Sequence, residues 1–545
     1  MKIASAWSGH DCSFAVLDDG VPIMHAEYER YIREKEPAGD AVKFMFDEYD
    51  VSDITHFIQV IPVKKLEDYD KSYAKIVKHV RNVGGKVFTV GHHQAHAANA
   101  FFSSNFDNAT IITLDGGGLD FQCLDDVNAT IETACTVWTG EGNKITRQQI
   151  VPLQQFNIGG LWTRVTRYVF ELQSGWPKGH QAGTVMAMAA MGDPSKYVAA
   201  FEKMLTVDLQ QASFKPLNQP KGAFTGNDPK HPYLDTWRQI AKRSEQDSFD
   251  VAAGLQAATE RLVFSFVQQV VTQTGLRKLC FAGGVSLNSV VMGKLRQMDW
   301  IDDIFVTPVP HDGGLTVGAC QYVWHQIFDK PRVKWSDNAS PYLGAKYNNE
   351  QIAQAIARFD NNVYASVCDQ SKLVELLAAG KIVSVFAGAA ESGRRALGNR
   401  SILADPRNPL MKDLINEKIK HRQWFRPFAP SILRSEVKNY FVFDADSPYM
   451  NLVLDFKDCV KDKVPAVVHT DGTARLQTVT RNDNVWYHDF LQEWFVHTGV
   501  PIILNTSLND NEPICNSPEH AINCYLRTDM DYLYFVDACI LVRRK

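Results

Sequence analysis

Three times along this chain an apolar run of strand character gives way to a glycine turn. Ile111-Ile112-Thr113-Leu114 meets Asp115-Gly116-Gly117-Gly118, Leu279-Cys280-Phe281-Ala282 meets Gly283-Gly284, and Ile304-Phe305-Val306 leads to Asp312-Gly313-Gly314. Short apolar runs bounded by glycine read as buried strands, and turns at their ends present backbone amides to a ligand. The expected fold class is α/β, with sites gathered where strands end.

The rest of the pattern fits that frame. Lys2 to Trp7, Ser13 to Asp18 and Val21 to Glu27 read as an antiparallel meander, separated by Ser8-Gly9-His10-Asp11 and Asp19-Gly20. A helix from Asp40 to Tyr49 follows, then strands at Thr55 to Ile61 and Lys86 to Val90. A second meander begins at Ala109, its first strand ending at Asp115, with further strands at Thr130 to Thr139 and Lys144 to Pro152. A faint likeness between His10–Asp19 and Leu119–Asp126 suggests a duplicated half. Beyond an insertion at 155–245, Asp250 to Thr274 is the strongest helix, stopped by Gly275. Two repeated halves with glycine turns are what the actin, sugar-kinase and Hsp70 type of ATPase fold (ASKHA) requires, its nucleotide phosphates resting on turn amides. Asp329 to Ala345 reads as a linker, so the expected domains are 1–340, of ASKHA type, and 341–545, a second α/β unit.

Composition narrows the function classes. With 545 residues, a formal charge of -5 and 22% charged residues, the chain has neither the basic surface of a nucleic-acid binder nor an acidic tail. No run approaches the roughly 18 apolar residues of a membrane span, and Met1 to Trp7 lacks a secretory leader, so a cytoplasmic protein is expected. The ten cysteines contain no C-x-x-C pair, which argues against a zinc ribbon, an iron–sulfur cluster or a disulfide framework. Most of them read as small buried apolar residues.

His92 and His96 lie four positions apart, and Asp115 follows nineteen positions later. On a helix both rings share one face and can reach one cation, with a carboxylate closing the site. A pair of satisfied core histidines is the plain alternative. Asp115 on its glycine turn, and Asp312 on another, shift the balance toward metal.

Residues 391–431 are dense in cations: Arg394, Arg395, Arg400, Arg407, Lys412, Lys418, Lys420, Arg422 and Arg426. A solvated face explains most such runs. Here the charges alternate with packing and turn residues, Ala396-Leu397-Gly398 and Pro427-Phe428-Ala429-Pro430, which suits arginine forks held rigidly against phosphate. The strand Ile502 to Leu504 then feeds Asn505-Thr506-Ser507-Leu508-Asn509, a cluster able to offer hydroxyl and amide groups to the same anion.

These stretches carry a resemblance. Gly9-His10-Asp11, Glu27 to Arg33, His92 to Ala98, Asp115 to Gly118, Leu279 to Asn288, Asp312-Gly313-Gly314, Arg395 to Arg407, Lys420 to Pro430 and Leu504 to Asn509 resemble the NodU/CmcH family of O-carbamoyltransferases over nearly the whole chain. The resemblance implies an N-terminal domain like the tRNA threonylcarbamoyl-transfer protein and a C-terminal YrdC-like domain. It implies cleavage of carbamoyl phosphate, formation of carbamoyl adenylate from ATP, and transfer to a hydroxyl of a small natural product. His92, His96, Asp115 and Asp312 match the family's metal ligands, with iron(II) expected and manganese or zinc also accepted by such a donor set; magnesium accompanies ATP. His10, beside Asp11, matches the candidate general base, for which a near-neutral imidazole is suited. Gly116, Gly117, Gly283, Gly284 and Asn288 match the adenylate side, and Arg395, Lys420, Arg426, Arg475, Asn505, Ser507 and Asn509 the carbamoyl phosphate and ATP side.

The chain also departs from the family. Gly393-Arg394-Arg395 stands where Gly-Pro-Arg is usual, and Ala182-Gly183-Thr184-Val185-Met186-Ala187-Met188-Ala189 lacks the acid and lysine of the corresponding stretch. Glu34-Lys35-Glu36-Pro37 likewise alters a basic-rich motif. Competing readings are a nucleotide-binding ASKHA metalloenzyme with another acyl-transfer or hydrolytic role, a metallopeptidase, and an actin-like structural ATPase. The peptidase lacks its general-base Glu, replaced by His93. The structural ATPase leaves Lys420 to Pro430 unexplained. The acceptor and the oligomeric state are not legible.

Overall fold

The computed structural model describes residues 1–61, 70–124, 126–153, 157–172, 181–202, 206–208, 213–215, 232–335 and 340–545. They form two compact units: Met1–Glu29 with Glu34–Ala339, and Arg30–Arg33 with Ser340–Lys545. Among the described residues no helix is long and apolar enough to cross a membrane.

The first unit is built on two sheets of identical connectivity. One holds β1 (Lys2–Trp7), β2 (Ser13–Asp18), β3 (Val21–Glu27), β4 (Ile54–Val60) and β5 (Val87–Val90) in the order β3-β2-β1-β4-β5. The other holds β6 (Asn108–Cys123), β7 (Asp126–Glu141) and β8 (Lys144–Pro152). After the small hairpin β9 (Thr206–Asp208) and β10 (Ser213–Lys215), it is completed by β11 (Lys278–Ala282) and β12 (Asp303–Val306), in the order β12-β11-β6-β7-β8. In each, an antiparallel meander is followed by two strands that add in parallel beside the first. The duplication is thus present, but β1-β2-β3 corresponds to β6-β7-β8. The pairing of His10–Asp19 with Leu119–Asp126 set a loop and β2 against the tail of β6.

The triple glycine does not end its strand. β6 pairs with β7 on both sides of a break between Leu114 and Gly118, so Asp115–Gly117 is a bulge inside a sixteen-residue strand. A bulge re-aims one side chain without ending the ladder, and here that side chain is Asp115. The helix expected from Asp250 begins earlier, at Glu245, where Ser244 accepts the Asp247 amide, and runs to Thr274 before Gly275.

The two sheets share a core into which the helices His92–Phe102 and Leu315–Gln321 are sunk, with Trp7, Ile58, Phe101, Ile111, Trp138 and Leu315 in one cluster. Every residue of the first helix is buried. Histidines at such a position must find partners within the protein. The insertion contributes the helices Ile158–Arg164, Ala182–Ala189, Val198–Glu202 and Pro232–Ala241. Residues 178–180 and 336–339, which belong to the altered segment and the linker, lie outside the described residues.

The second unit is one nine-stranded mixed sheet: β13 (Val363–Val367), β14 (Val383–Phe386), β15 (Arg400–Ala404), β16 (Ala429–Leu433), β17 (Leu452–Asp455), β18 (Thr473–Val479), β19 (Ile502–Ser507), β20 (Tyr532–Phe535) and β21 (Ile540–Arg544). Its order is β13-β21-β20-β14-β15-β19-β16-β18-β17. The helix Val485–Thr498 packs Tyr487, Phe490 and Trp494 into its core.

Gly283, where β11 turns toward the site, has φ +93°, and a Cβ there would stand 2.2 Å from the Leu114 carbonyl oxygen. Gly283→Ala is therefore expected to cost about 2–3 kcal/mol through backbone strain and forced movement of β6. The check is the denaturation midpoint, which should fall; an unchanged midpoint overturns the assignment of strain.

Candidate functional site

The helix that carries both histidines is fixed at its start by side chains. The Gly91 amide donates to Gln94 Oε1 at 3.0 Å, and the Gln94 amide donates to Asp120 Oδ2 at 3.0 Å, a carboxylate supplied by β6. A negative cap at a helix N-terminus satisfies orphan amides and the dipole together. Because the cap comes from β6, His92 and His96 are registered directly against Asp115. Trp7 meets the His92 ring edge-on at 5.6 Å, and Gly118 leaves room for it, since a Cβ there would fall 2.3 Å from His92 Cγ.

His92, His96, Asp115 and Asp312 are all buried, and their ligand atoms lie within 4.8 Å of one another. His92 Nε2 stands 3.1 Å from Asp115 Oδ2 and 3.4 Å from Asp312 Oδ1; His96 Nε2 stands 3.8 Å and 3.4 Å from the same two atoms. Donors about 2.1 Å from a central ion in tetrahedral array sit about 3.4 Å apart, and octahedral neighbours about 3.0 Å. The observed spacings, 3.1 to 3.8 Å, start just above the octahedral value and bracket the tetrahedral one. Among the described residues, His92 Nδ1 and both ring nitrogens of His96 lack a hydrogen-bond partner. The four side chains therefore fit a divalent cation, whereas satisfied core histidines would have found partners.

The electrostatics agree. Burial opposes a charge on His92, but Asp312 and Asp115 outweigh it and push the imidazole up to about 10. Burial likewise presses on Asp115 and Asp312, and the imidazoles reverse it, holding both carboxyls below their ordinary range. Without a metal, protons on the rings supply the cationic charge that two buried carboxylates need.

His93 faces elsewhere. Its nitrogens meet Thr113 Oγ1 at 2.7 Å and the Thr133 carbonyl at 2.9 Å, and burial drives its pKa down to about 3. It is a neutral structural residue, so nothing at the peptidase glutamate position can activate water.

His10, in the turn between β1 and β2, comes within 3.2 Å of Asp312 through Nε2 and within 3.2 Å of Asp11 through Nδ1. Its side chain is 48% exposed, the one solvent-facing member of the group. Desolvation of the ring edge packed against the carboxylates lowers its pKa, but Asp312 and Asp11 outweigh it and raise it to about 10. The near-neutral imidazole expected from sequence is thus displaced by flanking carboxylates. Asp312 is shared: Oδ1 faces the histidine pair while Oδ2 faces His10.

Two neighbours, His311 and His25, were not singled out in the sequence. His311 accepts the Gly313 amide through Nδ1 at 3.1 Å and lies 3.7 Å from Glu27; His25 Nε2 donates to the Gly313 carbonyl at 2.7 Å. Together they shape the turn that presents Asp312. The sequence signal was there in His311 adjoining Asp312, an imidazole beside an acid on a glycine turn. Of the adenylate-side residues, Gly284 donates its amide to Asp115 Oδ1 at 2.8 Å, Gly116 accepts from Asn157, and Gly117 lies in the bulge. Asn288 caps the helix Ser289–Arg296 and exchanges hydrogen bonds with Gln256.

In the second unit the cation run separates into two kinds. Arg400 is wholly buried, donates to the carbonyls of Ala387, Asn399, Ala345 and Gly388, and lies 3.5 Å over the Phe386 ring. Arg407 pairs with Asp405 at 2.6 Å. These are scaffold. By contrast, among the described residues Arg395, Lys420, Arg422, Arg426 and Arg475 form no ion pair with a carboxylate; the Nε atoms of Arg395 and Arg475, like that of Arg400, are buried without partners, but Arg395 lacks the carbonyl cage that holds the Arg400 terminal nitrogens. Burial and mutual repulsion lower the pKa of Arg395, of Arg422 and, to about 10, of Arg475. Lys420 is lowered by the same causes; its ammonium reaches the Ser507 carbonyl and, at 2.8 Å, both the carbonyl and side-chain oxygens of Asn509. Asn505 spends its amide on Ala396, Ser431 and Gln477, leaving Oδ1 unpartnered. Glu391, absent from the sequence reading, accepts the amides of Leu397, Asn399 and Arg400 on one oxygen and so folds the loop bearing Arg395.

Comparison with known proteins decides the family. The family model described as carbamoyltransferase N-terminus matches residues 54–321, and carbamoyltransferase C-terminus matches 374–543. Nodulation protein NolO of Bradyrhizobium diazoefficiens is 35% identical, over 84% of this chain and 79% of that protein. The chain belongs to the carbamoyltransferase family. Nodulation protein U of Sinorhizobium fredii is 34% identical over 78% of this chain and 75% of its own length, and an uncharacterized Synechocystis protein is 31% identical over 96% and 94%.

The charge arrangement of this carbamoyltransferase fixes a pH response. His10 and His92 titrate near 6.5 when unfolded and are raised to about 10 when folded. In chelator-treated protein their stabilisation is complete below about pH 6.5 and is lost as pH rises toward 10. A divalent metal displaces those protons, so metal-loaded protein should hold its stability across the same interval. Urea midpoints between pH 6 and 10, with and without metal, test this; parallel curves overturn the placement of the metal.

Proposed function

We propose that this carbamoyltransferase is an ATP-dependent O-carbamoyltransferase that works through carbamoyl adenylate, its first unit of ASKHA type and its second YrdC-like. The observation that carries the reading is the set of buried and half-buried cations without carboxylate partners, Arg395, Lys420, Arg422, Arg426 and Arg475. Cations cannot be gathered and desolvated at this density unless an anion completes the site. Carbamoyl phosphate and ATP, with its magnesium, offer phosphoryl oxygens in the two-point geometry that guanidinium forks recognise.

In this scheme water cleaves carbamoyl phosphate to carbamate and phosphate. A carbamate oxygen then attacks the α-phosphate of ATP, the P–O bond to the β-phosphate breaks, and pyrophosphate leaves. In the first unit an acceptor hydroxyl attacks the carbamoyl carbon, AMP departs, and the hydroxyl proton passes to His10 Nε2, an imidazole free to take it once a bound cation offsets the Asp312 charge that otherwise keeps the ring protonated. Asp312 orients that imidazole. His92, His96, Asp115 and Asp312 would hold a divalent metal, iron(II) by family resemblance, which when bound polarises the carbamoyl group and offsets the carboxylate charge. Gly283 and Gly284, whose amides are taken by the Pro310 carbonyl and Asp115, bear no side chains and so let the adenylate approach the turn closely. The acceptor is a small hydroxylated natural product.

Carbamoyl phosphate-dependent release of pyrophosphate from ATP tests the first half. Arg395→Ala should lower it by about 100-fold or more, the scale of losing a charged group at a phosphoryl site; activity near wild type would sink the assignment. His92→Ala with His96→Ala should remove the bound metal, read by elemental analysis, and abolish transfer while pyrophosphate release persists.

A further inference from the structure

Most of the ten cysteines read as small buried apolar residues, and three are exposed; one buried pair does not fit a packing role alone. Cys515, in the loop after β19, and Cys524, on the helix Pro518–Leu526, are both buried and reduced. Their sulfurs lie, together with a Glu512 carboxylate oxygen, within 4.8 Å of one another. Arg33 Nη2 is 4.0 Å from Cys515 Sγ and also pairs with Glu512 at 3.0 Å. Arg527 pairs with Asp510 at 2.9 Å and with Glu512. A cleft of about 450 Å³ lined by Arg33, Glu512, His520, Asn523, Leu526 and Arg527 reaches the cluster through Glu512 and Arg33, with neither sulfur in its wall.

Two thiols this close, under guanidinium charge and near an open cleft, have the surroundings of reactive cysteines, since cations favour the thiolate and a neighbouring thiol resolves its oxidised product. The pair is also asymmetric. The bond from Cys515, against burial and with help from Arg527 and Lys420, holds the Cys524 thiol below its ordinary range, whereas burial raises Cys515. A metal is the other use for two sulfurs and a carboxylate. Here, however, Glu512 is already engaged by two arginines, and their charges repel a dication.

We propose that Cys515 and Cys524 are a redox-active dithiol that closes reversibly to an intrachain disulfide on meeting a hydroperoxide. The Cys524 thiolate attacks a peroxide oxygen; an S–O bond forms, the O–O bond breaks, and the leaving oxygen takes a proton as water or alcohol. Cys515 sulfur then attacks Cys524 sulfur; the S–S bond forms, the S–O bond breaks, and hydroxide leaves as water with the Cys515 proton. Two electrons pass from the thiols to the peroxide. The disulfide has a defined mechanical target. The Cys515 amide donates to the Leu508 carbonyl at 2.9 Å, closing the loop that carries Asn509, whose oxygens hold the Lys420 ammonium. Oxidation ties that loop to the helix Pro518–Leu526. The inference does not depend on what Lys420 binds.

The experiment treats the full chain with hydrogen peroxide, blocks free thiols by alkylation, and maps the digest by mass spectrometry. A Cys515–Cys524 linked peptide, reversed by dithiothreitol, is expected, with Cys524 alkylated at least about ten times faster than Cys515 in the reduced protein. Cys524→Ser should abolish the link, and Cys515→Ser should leave Cys524 as a trappable sulfenic acid. No linked peptide in the wild-type chain, which needs no variant to fold, overturns the proposal. So does zinc protection of both thiols reversed by a chelator in the His92→Ala, His96→Ala background, which would make this a metal site.

Discussion

The first unit is organised around two carboxylates held together away from water. Asp115 and Asp312 cannot both stay ionised there without positive charge between them. Each structural peculiarity nearby serves that arrangement. A bulge turns Asp115 inward from an otherwise continuous strand, a glycine turn braced by His25 and His311 presents Asp312, and a wholly buried helix sets two imidazoles opposite both. The helix is registered by Asp120, which belongs to the same strand as Asp115. One strand therefore fixes acid and base at once.

Much of this was legible in the sequence. Strand and helix positions followed from periodicity, as with β8, whose bounds were read as Lys144 to Pro152. His92 and His96 could be placed on one helix face from spacing alone. Two features were not. The glycines of Asp115–Gly118 look identical in sequence whether they end a strand or interrupt it; only pairing of Gly118 onward with β7 distinguishes a bulge. The titration of His10 depends on Asp11, its neighbour in sequence, and on Asp312, some three hundred residues away, and only the first could be seen in a local pattern.

The second unit shows the same limit from another side. Arg395 and Arg400 are five residues apart and equally basic in the sequence, yet they do opposite things. Arg400 gives its two terminal nitrogens to four backbone carbonyls and lies over an aromatic face, while among the described residues the Arg395 side chain donates to no protein acceptor. What separates them is whether the fold supplies acceptors, and that is a tertiary property. Glu391 went unnoticed for the same reason: an isolated acid in a loop carries no periodic signal, and its work is to gather three amides.

Asp115 divides its two oxygens between different duties. Oδ1 takes the amide of Gly284, and Oδ2 faces His92. A carboxylate moves as a rigid plane, so whatever displaces the Gly283–Leu287 turn also tilts the oxygen offered to the histidines. If a ligand at the turn shifts this contact, linkage requires that it and a cation at the four-residue centre alter each other's affinity by the same factor. A single side chain thus joins the turn to the four-residue centre.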